Sequence, residues 1–404
     1  MRTLFYHFTI CITAGILLFT VDASAIPAFS RKYKFGCNVC HSVYPRLNEF
    51  GRDFKLNGYR TSDELAPPDT EQNFWDKGYD LLPITVHGKI TQVIAPKGKD
   101  VKTATTLDEL QLDAGINFSS KVSFYLHTHL WEDGEVGKPL VAAVRVNDLF
   151  NNRMISVRAG QYELPLSFSP EVERLMAFQY LIFNQSIGGN TFTLGTPQLG
   201  IELTGDLGND FWYWVGGVNG SGFETDPLTG TFDNNAAKDP YFRLAKNFDE
   251  NTVGIFGYYG NNNILEDVDT VELDHSDHFF RIGGDLNWNF SDVNLRSTFL
   301  YGRDNNFNGL GEETFFYGGF LEGNYYPTDR LAIVGRYDIV QLDKVEAAGN
   351  GEEGGPSGEV RKTTWAITPG FQYLVLPNIK VGVEYQFRQE RDDDRAIVLL
   401  HFAL

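Results

Sequence analysis

The sequence predicts an all-β fold, an antiparallel transmembrane β-barrel of about sixteen strands, preceded by a short helical leader. Three observations predict it. From residue 83 onward, apolar and polar side chains alternate with period two over stretches of about ten residues. Glycine (41), phenylalanine (32) and tyrosine (19) are abundant while methionine (3) is scarce, a bias toward strands. Beyond the N-terminus no apolar run approaches the ~20 residues that a membrane helix needs, so helical spans are excluded.

Residues 1–25 read as a secretory signal peptide. Arg2 supplies the charged start, residues 10–21 the apolar stretch, and Ala23-Ser24-Ala25 a small-residue cleavage site; a retained membrane anchor is the alternative. Cleavage removes Cys11 and leaves Cys37 and Cys40, too few for a disulfide framework.

Residues 26–60 carry the chemistry. Cys37-Asn38-Val39-Cys40-His41 is C-x-x-C-H, a spacing that lets two thiols add to the two vinyl groups of one haem while the adjacent imidazole reaches the iron. Cys37 and Cys40 are therefore the candidate covalent attachment points of one haem c, and His41 its proximal iron ligand. A dithiol redox pair or half of a zinc site are the alternatives, but no second Cys/His pair lies nearby and no βαβ unit fits so short a segment. Pro45 is expected to start a helix on which Leu47, Phe50 and Phe54 share a face, with Asn57-Gly58 as its stop. So small a unit cannot enclose a haem by itself. The leader is accordingly expected to act as a lumen plug, joined to the barrel by a linker over 61–82.

Residues 83–404 are the barrel. Strands are expected to begin near residues 83, 107, 121, 139, 153, 197, 210, 239, 252, 276, 292, 314, 330, 362, 378 and 393. Ile379, Val381, Val383, Tyr385 and Phe387 share one face, and Lys380, Glu384, Gln386 and Arg388 the other. Phe280, Ile282, Leu286 and Trp288 likewise oppose Arg281, Asp285 and Asn287. Short turns at Ser119-Ser120, Asn151-Asn152, Gly208-Asn209, 249–251, Ser291 and Thr328-Asp329 alternate with longer connections, as in outer-membrane barrels. An even strand count puts both termini in the periplasm. The long connection over 163–196 carries a helix-start signal, Ser169-Pro170-Glu171, and an apolar stretch over 175–183; it folds inward as a constriction or lies outside as a flap. The Gly- and acid-rich stretch 347–359 reads as an external loop.

A sixth iron ligand has to come from the barrel, because the leader after His41 has neither His nor Met. His87, His127, His129, His275, His278, His401, Met154 and Met176 are the choices. Alternation turns His87 and Lys89 into the lumen near the periplasmic end, which makes His87 the candidate distal ligand. His127 and His129 also face inward, further along their strand.

The net charge of −19 is uneven: residues 26–60 hold seven Lys/Arg against two acids. Nucleic acid is excluded as a partner of so acidic a chain. Acid-rich loops containing Glu266, Asp267, Asp269, Glu312, Glu313 and Asp392-Asp393-Asp394 suit attraction of Fe(II), although solvated loops share that composition.

A haem motif placed directly before a whole barrel resembles the fused monohaem cytochrome–porin family of outer-membrane proteins of iron-oxidising bacteria. The matching residues are Ile26-Pro27-Ala28-Phe29-Ser30-Arg31, then Pro45, Leu47, Phe50-Gly51-Arg52, Phe54-Lys55-Leu56 and Gly58-Tyr59. They span about 35 residues; the barrel matches only in size, position and pattern. The resemblance implies location in the outer membrane of a Gram-negative bacterium. It also implies electron transfer from an extracellular donor, Fe(II) or another, to periplasmic cytochromes, with iron(II) oxidation as the associated reaction. The rival from another class is a diffusion or cation porin whose haem unit only gates or stabilises the pore. A haem peroxidase is a third reading, and it needs distal acid/base groups that no sequence motif supplies.

Overall fold

The computed structural model describes residues 28–33, 35–61, 84–97, 100–132, 134–150, 153–222, 233, 235–265, 274–308, 311–343, 361–389 and 394–403. The signal segment, nearly all of the 61–82 linker, the 347–359 loop, and Glu266, Asp267, Asp269, Asp392 and Asp393 lie outside them.

The leader folds as α1 (Ala28–Tyr33), α2 (Cys37–Cys40), a small hairpin of β1 (His41–Val43) and β2 (Arg46–Leu47), and α3 (Glu49–Leu56). The expected helix start at Pro45 is displaced. Tyr44-Pro45 forms the hairpin turn, and Asn48 caps α3 by accepting from the Gly51 amide at 2.9 Å. Leu47 therefore lies on a strand rather than on the helix. The stop is where the sequence puts it: Gly58 takes a left-handed φ of 69° and the Tyr59 amide reaches back to the Phe54 carbonyl.

The wall consists of β3 (Ile84–Lys97), β4 (Asp100–Asn117), β5 (Val122–Glu132), the two-residue β6 (Glu135–Val136) that extends β5's pairing, β7 (Pro139–Val146), β8 (Ser156–Tyr162), β9 (Gln198–Asp206), β10 (Phe211–Val218), β11 (Asp239–Phe248), β12 (Asn251–Leu265), β13 (Asp274–Phe290), β14 (Val293–Asp304), β15 (Thr314–Thr328), β16 (Leu331–Leu342), β17 (Lys362–Leu376), β18 (Ile379–Arg388) and β19 (Arg395–Ala403). Without β6, these are sixteen antiparallel strands in a closed barrel, with β19 pairing back to β3 from Ala403↔His87 to Ala396↔Ile94. β4 starts earlier than expected because its exposed first residues extend the hairpin with β3 beyond the end of β5, where no face has to be apolar.

Burial is inverted relative to a soluble sheet. On β18, Val383 and Phe387 are 39% and 45% exposed while Lys380, Glu384 and Gln386 are buried; on β13, Ile282 is exposed and Arg281, Asp285 and Asn287 are buried. Apolar side chains face outward to lipid, and the polar side chains are covered from within. Short turns, several with left-handed residues such as Asn209, Asp210, Asp249 and Ser291, cluster at the end where β3 begins and β19 finishes. Phe118, Phe248, Phe290 and Tyr325 are exposed near that end, in the position of an interfacial aromatic girdle.

The long β8–β9 connection folds inward. Its backbone amides at Ala177 and Phe178 donate to Glu384 of β18 and that at Leu181 to Asp338 of β16, while Arg336 donates to the carbonyls of Phe178 and Gln179. The helix signal at Ser169 yields one capped turn, through Val172 N–H to Ser169 Oγ, and then stops. Amides bound to wall carboxylates are not available to i−4 carbonyls, so the helix does not propagate. Loop residues Phe168, Tyr180, Phe183 and Phe192 join wall residues Tyr258, Phe279, Phe316 and Phe320 in an apolar core inside the barrel.

Candidate functional site

Residues 28–61 lie against the inner wall at the short-turn end, held by long cationic side chains. Arg46 pairs with Glu322 of β15, Arg60 with Asp148 at 2.9 Å, and Lys55 with Glu173 of the inward loop at 2.7 Å. Arg52 donates to the carbonyls of Asp249 and Glu250 in the β11–β12 turn. Glu322 serves both inner segments, since its other oxygen accepts from Tyr180 of the loop at 2.6 Å. Aromatic packing adds to this: Phe29 stacks on Tyr59 and Tyr59 on Tyr125 of β5, with centroids 5.1 and 4.9 Å apart.

Between leader and wall lies a cavity of about 380 Å³, lined by Cys37, Cys40 and His41. One helical turn places Cys37 and Cys40 three residues apart on one face, and the chain becomes extended at His41. Gly51 lets α3 sit against this turn, because a Cβ there would overlap the Cys40 carbonyl. Both cysteines are free. Burial pushes both thiols up from their ordinary values and pushes the His41 imidazole down to about 4, which keeps it neutral with a lone pair to share. Among the described residues, the buried His41 Nδ1 has no hydrogen-bond partner. Paired thiols, a neutral imidazole with an orphaned nitrogen and a shared cavity fit a covalently held haem.

Of the distal-ligand choices, His87 lines this cavity. Tyr44 stands beside it: the Tyr44 ring meets His41 edge-on at 5.1 Å and stacks on His87 at 6.1 Å and on His401 at 5.6 Å. Both His87 nitrogens are engaged, Nδ1 with the Tyr44 hydroxyl at 3.1 Å and Nε2 with Asp113 at 2.7 Å. Asp113 also binds His127 Nδ1 and accepts from the Tyr125 hydroxyl. His127 and His129 are buried further along β5, as alternation predicts. Met176 packs in a separate cluster with Val43 of the leader, and Met154 and His278 are exposed. The His275 side chain lies outside the described set.

Solved outer-membrane channels share this architecture. DcaP of Acinetobacter baumannii is 15% identical with a TM-score of 0.54, covering 80% of this chain and 96% of its own. OprB of Pseudomonas putida is 13% identical at 0.54, covering 82% and 95%, and a loop-deleted OmpT of Vibrio cholerae is 12% identical at 0.53, covering 80% and 99%. This chain has the porin fold. Its barrel matches those of outer-membrane proteins of Gram-negative bacteria. No protein-family profile and no curated protein matches it.

Sequence reasoning did not single out Tyr44, Asp113, or the cations Arg145 and Arg158 that line the cavity from β7 and β8. Strand alternation marks both arginines as lumen-facing, but which charges remain unpaired depends on cross-strand register.

Proposed function

We propose that this barrel is an electron conduit whose leader carries one haem c as a plug at the periplasmic base of the lumen. It takes electrons from an extracellular donor such as Fe(II) and passes them to periplasmic cytochromes. The observation that carries this reading is the shared cavity of Cys37, Cys40 and His41, set against a barrel interior otherwise packed with the inward loop. Bound there, a haem supplies a one-electron carrier. Cys37 and Cys40 would hold it by thioether bonds, His41 would be its proximal ligand, and His87 is the distal candidate that a shift of Tyr44 would release. The likeness of the leader to fused cytochrome–porins agrees with this assignment. Apolar packing of Phe168, Tyr180, Phe183 and Phe320, with centroids 4.4–6.0 Å apart, leaves the middle of the lumen poorly suited to hydrated ions.

The second reading is a diffusion porin in which the leader gates or stabilises the pore, and the porin fold itself favours it. Purified barrels reconstituted into vesicles separate the two. With Fe(II) outside under anaerobic conditions and an impermeant acceptor trapped inside, a conduit reduces the acceptor while ion conductance stays low. Conductance of porin size without reduction of the acceptor overturns the conduit.

A further inference from the structure

Three arginines line the barrel side of the cavity: Arg145 of β7, Arg158 of β8 and Arg243 of β11. Two have carboxylate partners. Arg243 donates to both oxygens of Asp285, and Arg158 donates to Glu202 at 2.9 Å while its guanidinium lies 4.1 Å from the Tyr162 ring centroid. Arg145 is different: among the described residues its guanidinium makes no ion pair and no hydrogen bond, and its Nε is buried. Glu202 in the same cross-strand row and Asp148 three residues on are engaged by Arg158 and Arg60. Glu163, also on the cavity, accepts from Ser169.

Register sharpens the imbalance. Arg145 and Arg158 are directly opposed across β7 and β8, and Arg158 is opposed in turn by Glu202 across β8 and β9. A single row thus holds two guanidiniums and one carboxylate, and the carboxylate goes to Arg158. Like charges directly opposite destabilise a sheet, and a buried charge without a counter-ion is costly. A carboxylate entering from the cavity would relieve both, and the planar fork of arginine matches it bidentately.

We propose that Arg145, with Arg158 beside it, binds a propionate carboxylate of the haem held by Cys37 and Cys40. This rests on the haem reading above. Both ends of such a group find partners on one cavity, whose lining includes Cys37 and Cys40 of the leader and Arg145 and Arg158 of the wall.

The test uses the full-length holoprotein with Arg145→Gln and Arg145→Lys, each checked for barrel assembly by heat-modifiable gel migration. Haem-linked staining of denatured protein reads attachment. Redox titration and the propionate bending band in resonance Raman spectra read the arginine contact. R145Q should keep the stain, shift the one-electron equilibrium about tenfold toward the oxidised form, which is about 59 mV, and move the propionate band. R145K should keep the potential within about threefold, because the charge remains, yet still move the band, because the fork is lost. An R145Q protein with native stain, potential and band overturns the proposal. If R145Q does not assemble, an unmoved band in R145K overturns it. An unstained wild-type protein overturns the haem reading instead.

Discussion

Two segments occupy the interior of this barrel, and they are held by opposite means. The inward loop is tied covalently to β8 and β9, binds wall carboxylates through its own backbone amides, and buries Phe168, Tyr180 and Phe183 against wall aromatics. The leader is anchored mainly by the tips of Arg46, Arg52, Lys55 and Arg60, which reach past the backbone to the wall, the turns and the inward loop. Backbone tethering brings a chain into contact along its length and leaves little space. Tethering by long side chains keeps the backbone at a distance, and the space left over is the cavity beside the thiols. The charge asymmetry of the sequence has its reason here: a basic leader sits among the carboxylates of an acidic barrel.

The comparison breaks most completely if the thiols are irrelevant. Replacing Cys37 and Cys40 by Ala should abolish haem-linked staining in a denaturing gel while heat-modifiable migration of the barrel persists. Staining that survives in the double variant would rule out covalent attachment. Next in size is the sealing role of the loop. Exchanging residues 170–185 for a Gly-Ser linker should raise single-channel conductance in planar bilayers by roughly tenfold or more, since sixteen strands without a filler leave an aqueous channel. Unchanged conductance would mean that something else closes the lumen.

The ionic anchoring of the leader is sharpened by Arg46→Met. Removing one partner of a buried pair costs about 3–5 kcal/mol, so limited proteolysis should cut the leader of R46M while the wild type resists. R46M with Glu322→Met should regain most of that protection; equal sensitivity of both variants would place the effect elsewhere. The smallest expected effect is Tyr180→Phe, which removes the loop's hydrogen bond to the Glu322 carboxylate and should cost about 1.5–3 kcal/mol. Thermal loss of the heat-modifiable form should move by only a few degrees, and a large shift would show that Glu322 couples the two segments more tightly than one bond allows.

The barrel was largely legible in the sequence because lipid imposes a strict rule: every second residue of a spanning strand is apolar, and turns interrupt the pattern at intervals. The Ile379–Arg388 and Asp274–Phe290 strands obey it along their middles. Where lipid ends, the rule lapses, so the outer part of β4 was not anticipated. Inside the lumen a different limit applies. The Pro45 and Ser169 signals are sound local rules, overridden by a hairpin in one case and by amides captured on Glu384 and Asp338 in the other. The C-x-x-C-H motif is conspicuous because its spacing is local, and the structure places Cys37, Cys40 and His41 on one cavity. The neighbours of His87 could not be read, since Asp113 reaches it through the β3–β4 register and Tyr44 and His401 only through the closure of the barrel and the seating of the leader.

That closure carries a consequence for assembly. Pairing β3 with β19 joins the first and last wall strands, the most distant partners in the chain and so the join with the largest loop to close. The leader lies across this join: the Tyr44 ring rests on His87 from one side of the seam and on His401 from the other. The stack exists only when the N-terminal segment is seated and the last strand has been zipped in. Seating and zipping therefore favour one another, and a chain whose leader is late or absent should linger as an unsealed sheet, open to quality-control proteases along the edge between its two ends.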